Sequence, residues 1–332
     1  MIHPIPPGTR DVLPDEMREL RRLHLSLIEV FEARGYGEVA TPAIEYDSVL
    51  ARGDGRTAAG AYRFFDESGE LLALRSDMTV PIARLVASRY AGAEPPLRLC
   101  YLASAYRAVR PQRGQMREFV QAGVELIGAP APQGTAEVVE VLEAALDAAG
   151  LDRTVIGLGD ADLYRQLLAE YGVEGDALDS VIGRLATHDL VGLEAELSEI
   201  DGIGEEQTAT CVALSQLRGG SEVLERARGL GGDVVERASA RLQETYEALE
   251  ERGVADRVQI DFGLLRDLGY YSGAILEVYD PALGHVLGGG GRYDGLLKRF
   301  GVDLPAAGFA LYLERVHVAQ MEEESRRGRE DR

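Results

Sequence analysis

Residues 288–296 read Gly288-Gly289-Gly290-Gly291-Arg292-Tyr293-Asp294-Gly295-Leu296. Four successive glycines strip the side chains from about 13 Å of extended backbone. They permit positive φ and close approach of another group. An arginine, a tyrosine and an aspartate follow at once. Bare backbone beside such polar groups suits the floor of a pocket for a small polar ligand. It equally suits a tight bend between a strand and a helix. No Walker-type Lys-Ser/Thr follows the glycines, so a phosphate-cradling loop is a poor reading. The choice rests on what else in the chain converges there.

The chain has 332 residues, 45% of them hydrophobic, which allows about two domains with sizeable cores. No apolar run approaches the ~18 residues of a membrane span. The start, Met-Ile-His-Pro-Ile-Pro-Pro-Gly, lacks a leader's basic and apolar regions. A cytoplasmic protein with no membrane partner is expected. Cys100 and Cys211 have no CxxC spacing, and the five histidines form no HxH or HxxxH pair. That excludes a disulfide scaffold and a zinc site, and no metal or cofactor is expected. The net charge of −21 repels polyanions such as tRNA unless basic groups are segregated. The Arg-rich segment 107–117 is one such group, readable as phosphate-binding or as a solvated basic loop.

Pro14-Asp15 opens a helix with Leu20, Leu23, Leu27, Ile28 and Phe31 on one face, and Gly35 stops it. Residues 38–42 form a short strand ended by Pro42. Segment 50–61, ARGDGRTAAGAY, reads as a mobile loop that orders over a ligand. Phe64-Phe65 and Leu71–Leu74 flank a hairpin turn. A helix at 79–90 carries Pro81 in its first turn. Strands at 97–107 and 116–126 pair antiparallel. In the second, Met116, Glu118, Val120, Ala122, Val124 and Leu126 share one mostly apolar face. Arg117, Phe119, Gln121, Gly123 and Glu125 share the other. That second face is either solvated or lines a ligand site, with Gly123 leaving space between Gln121 and Glu125.

A helix follows at 134–149 and a strand at 154–159. VIGLGDAD at 155–162 resembles half a dinucleotide fingerprint but lacks the third glycine and a second βαβ unit. Residues 160–253 are almost entirely helical in pattern. Strands at 258–262, 274–279, 286–287 and 307–311 return, with helices at 293–300 and 312–324. The expected fold is α+β: a mostly antiparallel sheet with helices on one side. Residues 1–159 and 254–325 form its core, 160–253 a helical insertion, and 326–332 a frayed charged tail.

Four separated segments now combine in one order. They are Leu74-Arg75-Ser76-Asp77-Met78-Thr79; Tyr106-Arg107 with Pro111 to Gln121 and Glu125; Leu264 to Gly273, LLRDLGYYSG; and the glycine run. Gly308-Phe309-Ala310-Leu311-Tyr312-Leu313-Glu314-Arg315 lies downstream. Over residues 5–325 the chain resembles the catalytic domain of histidyl-tRNA synthetase, a class II synthetase. Its YYSG and GGGGRYDGL segments are similar to that family's two histidine-specific signatures. The resemblance implies a class II synthetase-like core and a pocket for L-histidine. It implies Asp77 and Thr79 at the ligand ammonium, helped by Gln121. It implies Glu125 and Tyr271 at the imidazole, Arg266 near the carboxylate and Tyr293 as a wall, and it adds Arg107 and Tyr270 to the histidine-binding set. Charge-assisted bonds of this kind contribute roughly 1.5–3 kcal/mol each. The segment around Thr41-Pro42 resembles the family's dimer interface, which implies a homodimeric core. Pro42 reads equally as a strand terminator.

The departures from the synthetase pattern fall on ATP and tRNA. Arg107-Ala108-Val109 keeps an arginine but loses the glutamate that the family places near adenine. Gly114-Gln115 stands where the family's loop ends in Gly-Arg. Tyr312 replaces a glycine, so a phenol crowds the nucleotide site, while Arg315 keeps the family's arginine. With 17 residues after Arg315 in the sequence, no anticodon-binding domain is expected. This combination resembles the synthetase-like regulatory-subunit family of ATP phosphoribosyltransferase. That resemblance implies a subunit without catalytic residues in a glycosyltransferase complex. Its short-form catalytic partner would condense ATP with phosphoribosyl diphosphate, the first step of histidine biosynthesis. It further implies a hetero-octamer, histidine as allosteric feedback inhibitor, and no tRNA. Two other readings stay open: a truncated synthetase-like enzyme that activates histidine with ATP, and a scaffold with a vestigial pocket. Gly290→Val is expected to abolish the histidine response while sparing assembly.

Overall fold

The computed structural model describes residues 4–53, 60–108, 116–266, 269–281, 283 and 285–330. The middle of the expected 50–61 loop, residues 109–115 of the Arg-rich segment, Asp267, Leu268 and the last two residues of the expected tail lie outside these. Helix α1 (Pro14–Ala33) begins with proline in its first turn and buries the expected stripe Leu20, Leu23, Leu27, Ile28 and Phe31. The chain reverses beyond it at Gly35, φ +80°. Then come β1 (Gly37–Glu38), β2 (Ile44–Tyr46), α2 (Asp47–Gly53), β3 (Arg63–Phe65), β4 (Leu71–Leu74), α3 (Thr79–Arg89), β5 (Leu97–Tyr106), β6 (Glu118–Ile127), α4 (Gln133–Ala148) and β7 (Val155–Asp160). The start of the expected loop at 50–61 is therefore the end of a helix.

Between β7 and the next long strand run α5 (Leu163–Glu170), α6 (Gly175–Ala186), α7 (Leu190–Ser198), α8 (Glu205–Ser215), the two-residue β8 (Arg218–Gly219), α9 (Glu222–Arg228) and α10 (Asp233–Arg252). The chain continues through β9 (Val258–Asp261), β10 (Ala274–Tyr279), β11 (Gly288–Arg292), a 3-10 turn (Leu297–Phe300), β12 (Ala306–Tyr312) and α11 (Leu313–Glu330). The last helix thus runs through the segment read as a tail as far as Glu330.

The main sheet has nine strands in the order β1-β5-β6-β12-β11-β10-β7-β9-β8, and β2-β4-β3 form a small second sheet. Among the described residues, only the β1–β5 and β7–β9 pairs of the main sheet are parallel. Successive residues of one strand enter different cores. Cys100, Val124 and Phe309 join the larger core with α1 and α4. Leu99, Tyr101 and Ala306 join a smaller core with α2 and α3. Helices therefore cover both faces of the sheet, and the one-sided arrangement expected from the sequence is corrected. The reason is visible in β5, where neither face is polar enough to meet water.

The glycine run is neither a bend nor a loop. It is the strand β11, paired with β10 and β12 and buried along its whole length. A Cβ at Gly290 would lie 2.0 Å from the carbonyl oxygen of Gly308, so the β11–β12 approach itself demands glycine there. The helix expected at 293–300 shrinks to the 3-10 turn because the preceding residues belong to the sheet's hydrogen bonds. Tyr293 N donates to Ala306 O at 2.9 Å, and Ala306 N donates to Asp294 Oδ1 at 3.0 Å. Arg292 leaves the ligand side altogether: it is 2% exposed and donates to Asp294 Oδ1 at 2.7 Å and Ala129 O at 3.1 Å.

Two further buried clamps position the functional segments. Arg75 donates to Ser104 O at 2.7 Å and Thr41 O at 2.6 Å, which holds residues 75–79 against β5. Asp160 accepts from Arg241 at 2.8 and 3.0 Å, tying α10 to β7. The Gly-rich 155–162 segment is thus committed to a strand and an ion pair. No helix among the described residues is long and apolar enough to cross a membrane.

Candidate functional site

The second face of β6 is not solvated: Gln121 is 3% exposed and Glu125 1%. Glu125 sits opposite Gly308 of β12, where a Cβ would come within 2.0 Å of Glu125 Oε2. Only glycine leaves that carboxylate its place. Thr79, at the first turn of α3, donates its hydroxyl to Glu125 Oε1 at 2.8 Å, and the Tyr293 hydroxyl donates to Oε2. Asp77, just before α3, accepts from Val80 N at 3.2 Å and is 5% exposed. Burial pushes the Glu125 carboxyl up to about 8; the Tyr293 and Thr79 bonds oppose this and Asp77 adds to it. The site therefore holds two carboxyl groups that a ligand cation or a proton would stabilise.

Three tyrosines close the acidic end. Tyr270 and Tyr271 have ring centroids 4.9 Å apart, and Tyr293 stands edge-on to Tyr270 at 6.1 Å. Burial pushes the Tyr271 phenol up to about 12, against the pull of Arg266, so it is a neutral donor at physiological pH. The Arg266 guanidinium lies 5.9 Å over the Tyr271 ring and donates to Leu276 O at 3.1 Å. It fills the space a side chain at Gly289 would need, since a Cβ there would lie 1.8 Å from Arg266 Nη1. This is the one direct contribution of the glycine run to the pocket.

At the basic end Arg107 donates to Ser76 O at 3.2 Å and to the Tyr312 hydroxyl at 3.3 Å. Its guanidinium lies 5.0 Å over Phe119. Gln121 Oε1, between the two ends, is buried and has no hydrogen-bond partner among the described residues. A buried acceptor of that kind costs about 1–3 kcal/mol until a donor reaches it.

One narrow cavity of about 20 Å³ unites these groups, lined by Asp77, Thr79, Arg107, Gln121, Arg266, Tyr270, Tyr271 and Tyr293. Of the nine residues expected to hold histidine, only Glu125 is off the surface, its oxygens covered by Thr79 and Tyr293. As it stands the space holds about one water molecule, so an amino acid enters only if side chains shift. Arg266 and Tyr271 also wall a wider cavity of about 530 Å³ beneath α5 and α6, which gives them room to move. Sequence reasoning did not place Tyr101 in the pocket, and it named Tyr312 only as a bar to nucleotide. Tyr101 faces Gly123 across β5–β6, and Tyr312 faces Gln121 across β12–β6. The glycine at 123 was the one available signal for the first. The arrangement suits a small zwitterion, with an acidic end, a basic end and an unpaired acceptor between.

The model of the histidyl-tRNA synthetase family matches residues 8–316. A relative from Moorella thermoacetica, described as an ATP phosphoribosyltransferase regulatory subunit, is 42% identical over 320 residues, covering 96% of this chain and 82% of its own. A solved structure from Bacillus halodurans, titled an ATP phosphoribosyltransferase regulatory subunit/histidyl-tRNA synthetase, superposes with a TM-score of 0.85 at 32% identity, covering 96% of this chain and 84% of that one. Another, titled a histidine–tRNA ligase subunit from Alicyclobacillus acidocaldarius, reaches a TM-score of 0.85 at 27% identity, covering 98% of this chain and 99% of that one. The chain belongs to the histidyl-tRNA synthetase-like family and, within it, to the ATP phosphoribosyltransferase regulatory subunits.

Proposed function

We propose that this subunit senses L-histidine and carries that signal to a short-form catalytic partner as feedback inhibition of the first step of histidine biosynthesis. The imidazole lies at Glu125 and Tyr271, the ammonium at Asp77, Thr79 and Gln121 Oε1, and the carboxylate at Arg266 and Arg107, with Tyr270 and Tyr293 as walls. The observation that carries this reading is Glu125: a carboxyl 1% exposed, bonded to Thr79 and Tyr293, which line the pocket together with Asp77, Arg107 and Arg266. A ligand with both an ammonium and a second titratable nitrogen fits it better than a simple amino acid. The subunit works in the cytoplasm as a homodimeric core within a hetero-octamer, without tRNA. Residues 1–159 and 254–325 form its core and 160–253 its helical insertion.

Linkage requires that histidine bind the active and inhibited assemblies with different affinity. Co-purification with a short-form catalytic subunit, followed by its assay with and without L-histidine, tests the proposal. Activation by this chain and inhibition by histidine are expected; a partner that neither binds nor responds removes it. The competing reading, a truncated enzyme that activates histidine with ATP, draws on Arg107 in the pocket wall and on Arg315, which stacks on the Tyr312 ring behind it. Histidine-dependent pyrophosphate–ATP exchange by the isolated chain would establish that reading, and a flat assay would end it.

A further inference from the structure

We infer that Tyr101 is a specificity-determining residue: its phenol, laid over Gly123, is the floor that sets how large a side chain the pocket admits between Gln121 and Glu125. Alternation along β6 turns Gln121, Gly123 and Glu125 to one face, and Tyr101 of β5 is the cross-strand partner of Gly123. The space left by the missing side chain is not empty. A Cβ on residue 123 would lie 2.6 Å from Tyr101 Oη and 2.8 Å from its Cζ. The phenol therefore crosses β6 through the gap in that row of side chains. The same Cβ would lie 2.2 Å from Phe309 O, so β12 closes the gap from beyond.

Tyr101 is 1% exposed and lines the inner cavity. It belongs to the smaller core, with Met78, Tyr270 and Tyr293. Burial first, and then the Glu125 and Asp77 carboxyls, hold its phenol protonated well above the ordinary tyrosine range. The floor is thus an uncharged ring, and it discriminates by shape. Other walls of the pocket have somewhere to go: Arg266 and Tyr271 border the wider cavity. Tyr101 does not border that cavity, and its phenol meets the backbone of β6 and β12 instead. A ligand that is too large therefore meets a wall that close-packed strands keep in place. This inference rests on the amino acid reading of the pocket and names the residue that measures the ligand's side chain.

Titration calorimetry of the full chain tests it, on the wild type, Tyr101→Leu and Tyr101→Phe. The probes are L-histidine and two analogues methylated on a ring carbon, at Cδ2 or at Cε1, which keep both ring nitrogens. The wild type is expected to prefer L-histidine to both analogues by about tenfold or more, the value of one excess methyl group in a filled pocket. Tyr101→Leu should erase or reverse that preference for at least one analogue. Tyr101→Phe should keep it, since the ring still covers Gly123. A merely structural role would weaken all three ligands alike and leave their ratios unchanged. A wild type that binds both analogues as tightly as L-histidine overturns the inference, and needs no variant to fold. A Tyr101→Leu protein that melts cooperatively and keeps the wild-type preference overturns it too, and leaves the sensor reading standing. A wild type silent to all three ligands removes the sensor reading and this inference with it.

Discussion

Glu125 concentrates the chemistry of the site. Its carboxyl titrates near 4.5 in a solvated chain and is pushed up to about 8 in the fold, mainly by burial. The folded state therefore holds the proton more tightly than the unfolded state. Its contribution to stability is fully present below about 4.5 and is lost as pH rises through about 8. Without ligand, the free energy of unfolding should fall by a few kcal/mol, on the order of the linkage for such a shift, between pH 5 and pH 9. Glu125→Gln should flatten that slope; a wild-type curve that rises over the interval would contradict the buried-carboxyl picture. The same variant should weaken L-histidine binding about 10- to 100-fold in calorimetry, the value of a charge-assisted bond. Gln121 and Glu125 were legible in the sequence because alternation puts them on one face of a strand. Tyr101 was not, because its place depends on pairing with Gly123 of another strand, and local periodicity carries no cross-strand register.

At the level of elements, β11 shows how a signature serves folding and ligand at once. Its four glycines give no alternation, so neither a period of 2 nor one of 3.6 can be read from them, and only pairing with β10 and β12 makes the strand. The earlier expectation for Gly290→Val is corrected by this. A Cβ meets backbone atoms of β12, not a mobile side chain, so the variant should lose assembly and histidine response together and melt well below the wild type. A wild-type melting curve for that variant would show that the strands can separate without cost. The Asp160–Arg241 pair makes a second element-level test. Asp160 has no exposed side-chain surface, so Arg241→Ala leaves a buried charge without its partner and should cost about 3 kcal/mol in urea unfolding. A change within 0.5 kcal/mol, about what an ordinary surface site shows, would mean that α10 is held by packing alone.

For the whole molecule, a net charge of −21 and a sheet covered on both faces leave a pocket at the join of three regions: the α3 end, the β6–β12 face and the 264–271 segment. The order of motifs made the core fold legible from the sequence. The two-sided packing was not legible, because apolar residues on successive positions of β5 do not say which helices will cover them. Arg266 and Tyr271 wall both the narrow inner cavity and the wider one against α5 and α6, so on the sensor reading the side chains that make room for histidine are expected to move toward those helices. A ligand that binds only the folded state also raises its stability, by about 2.7 kcal/mol at a hundred times its dissociation constant. The most direct test of the sensor reading is therefore titration calorimetry of the full chain with L-histidine, paired with its melting curve. Saturable heat at one site per chain and a higher melting temperature are the expected result. No heat and an unchanged melting temperature at millimolar histidine would contradict it.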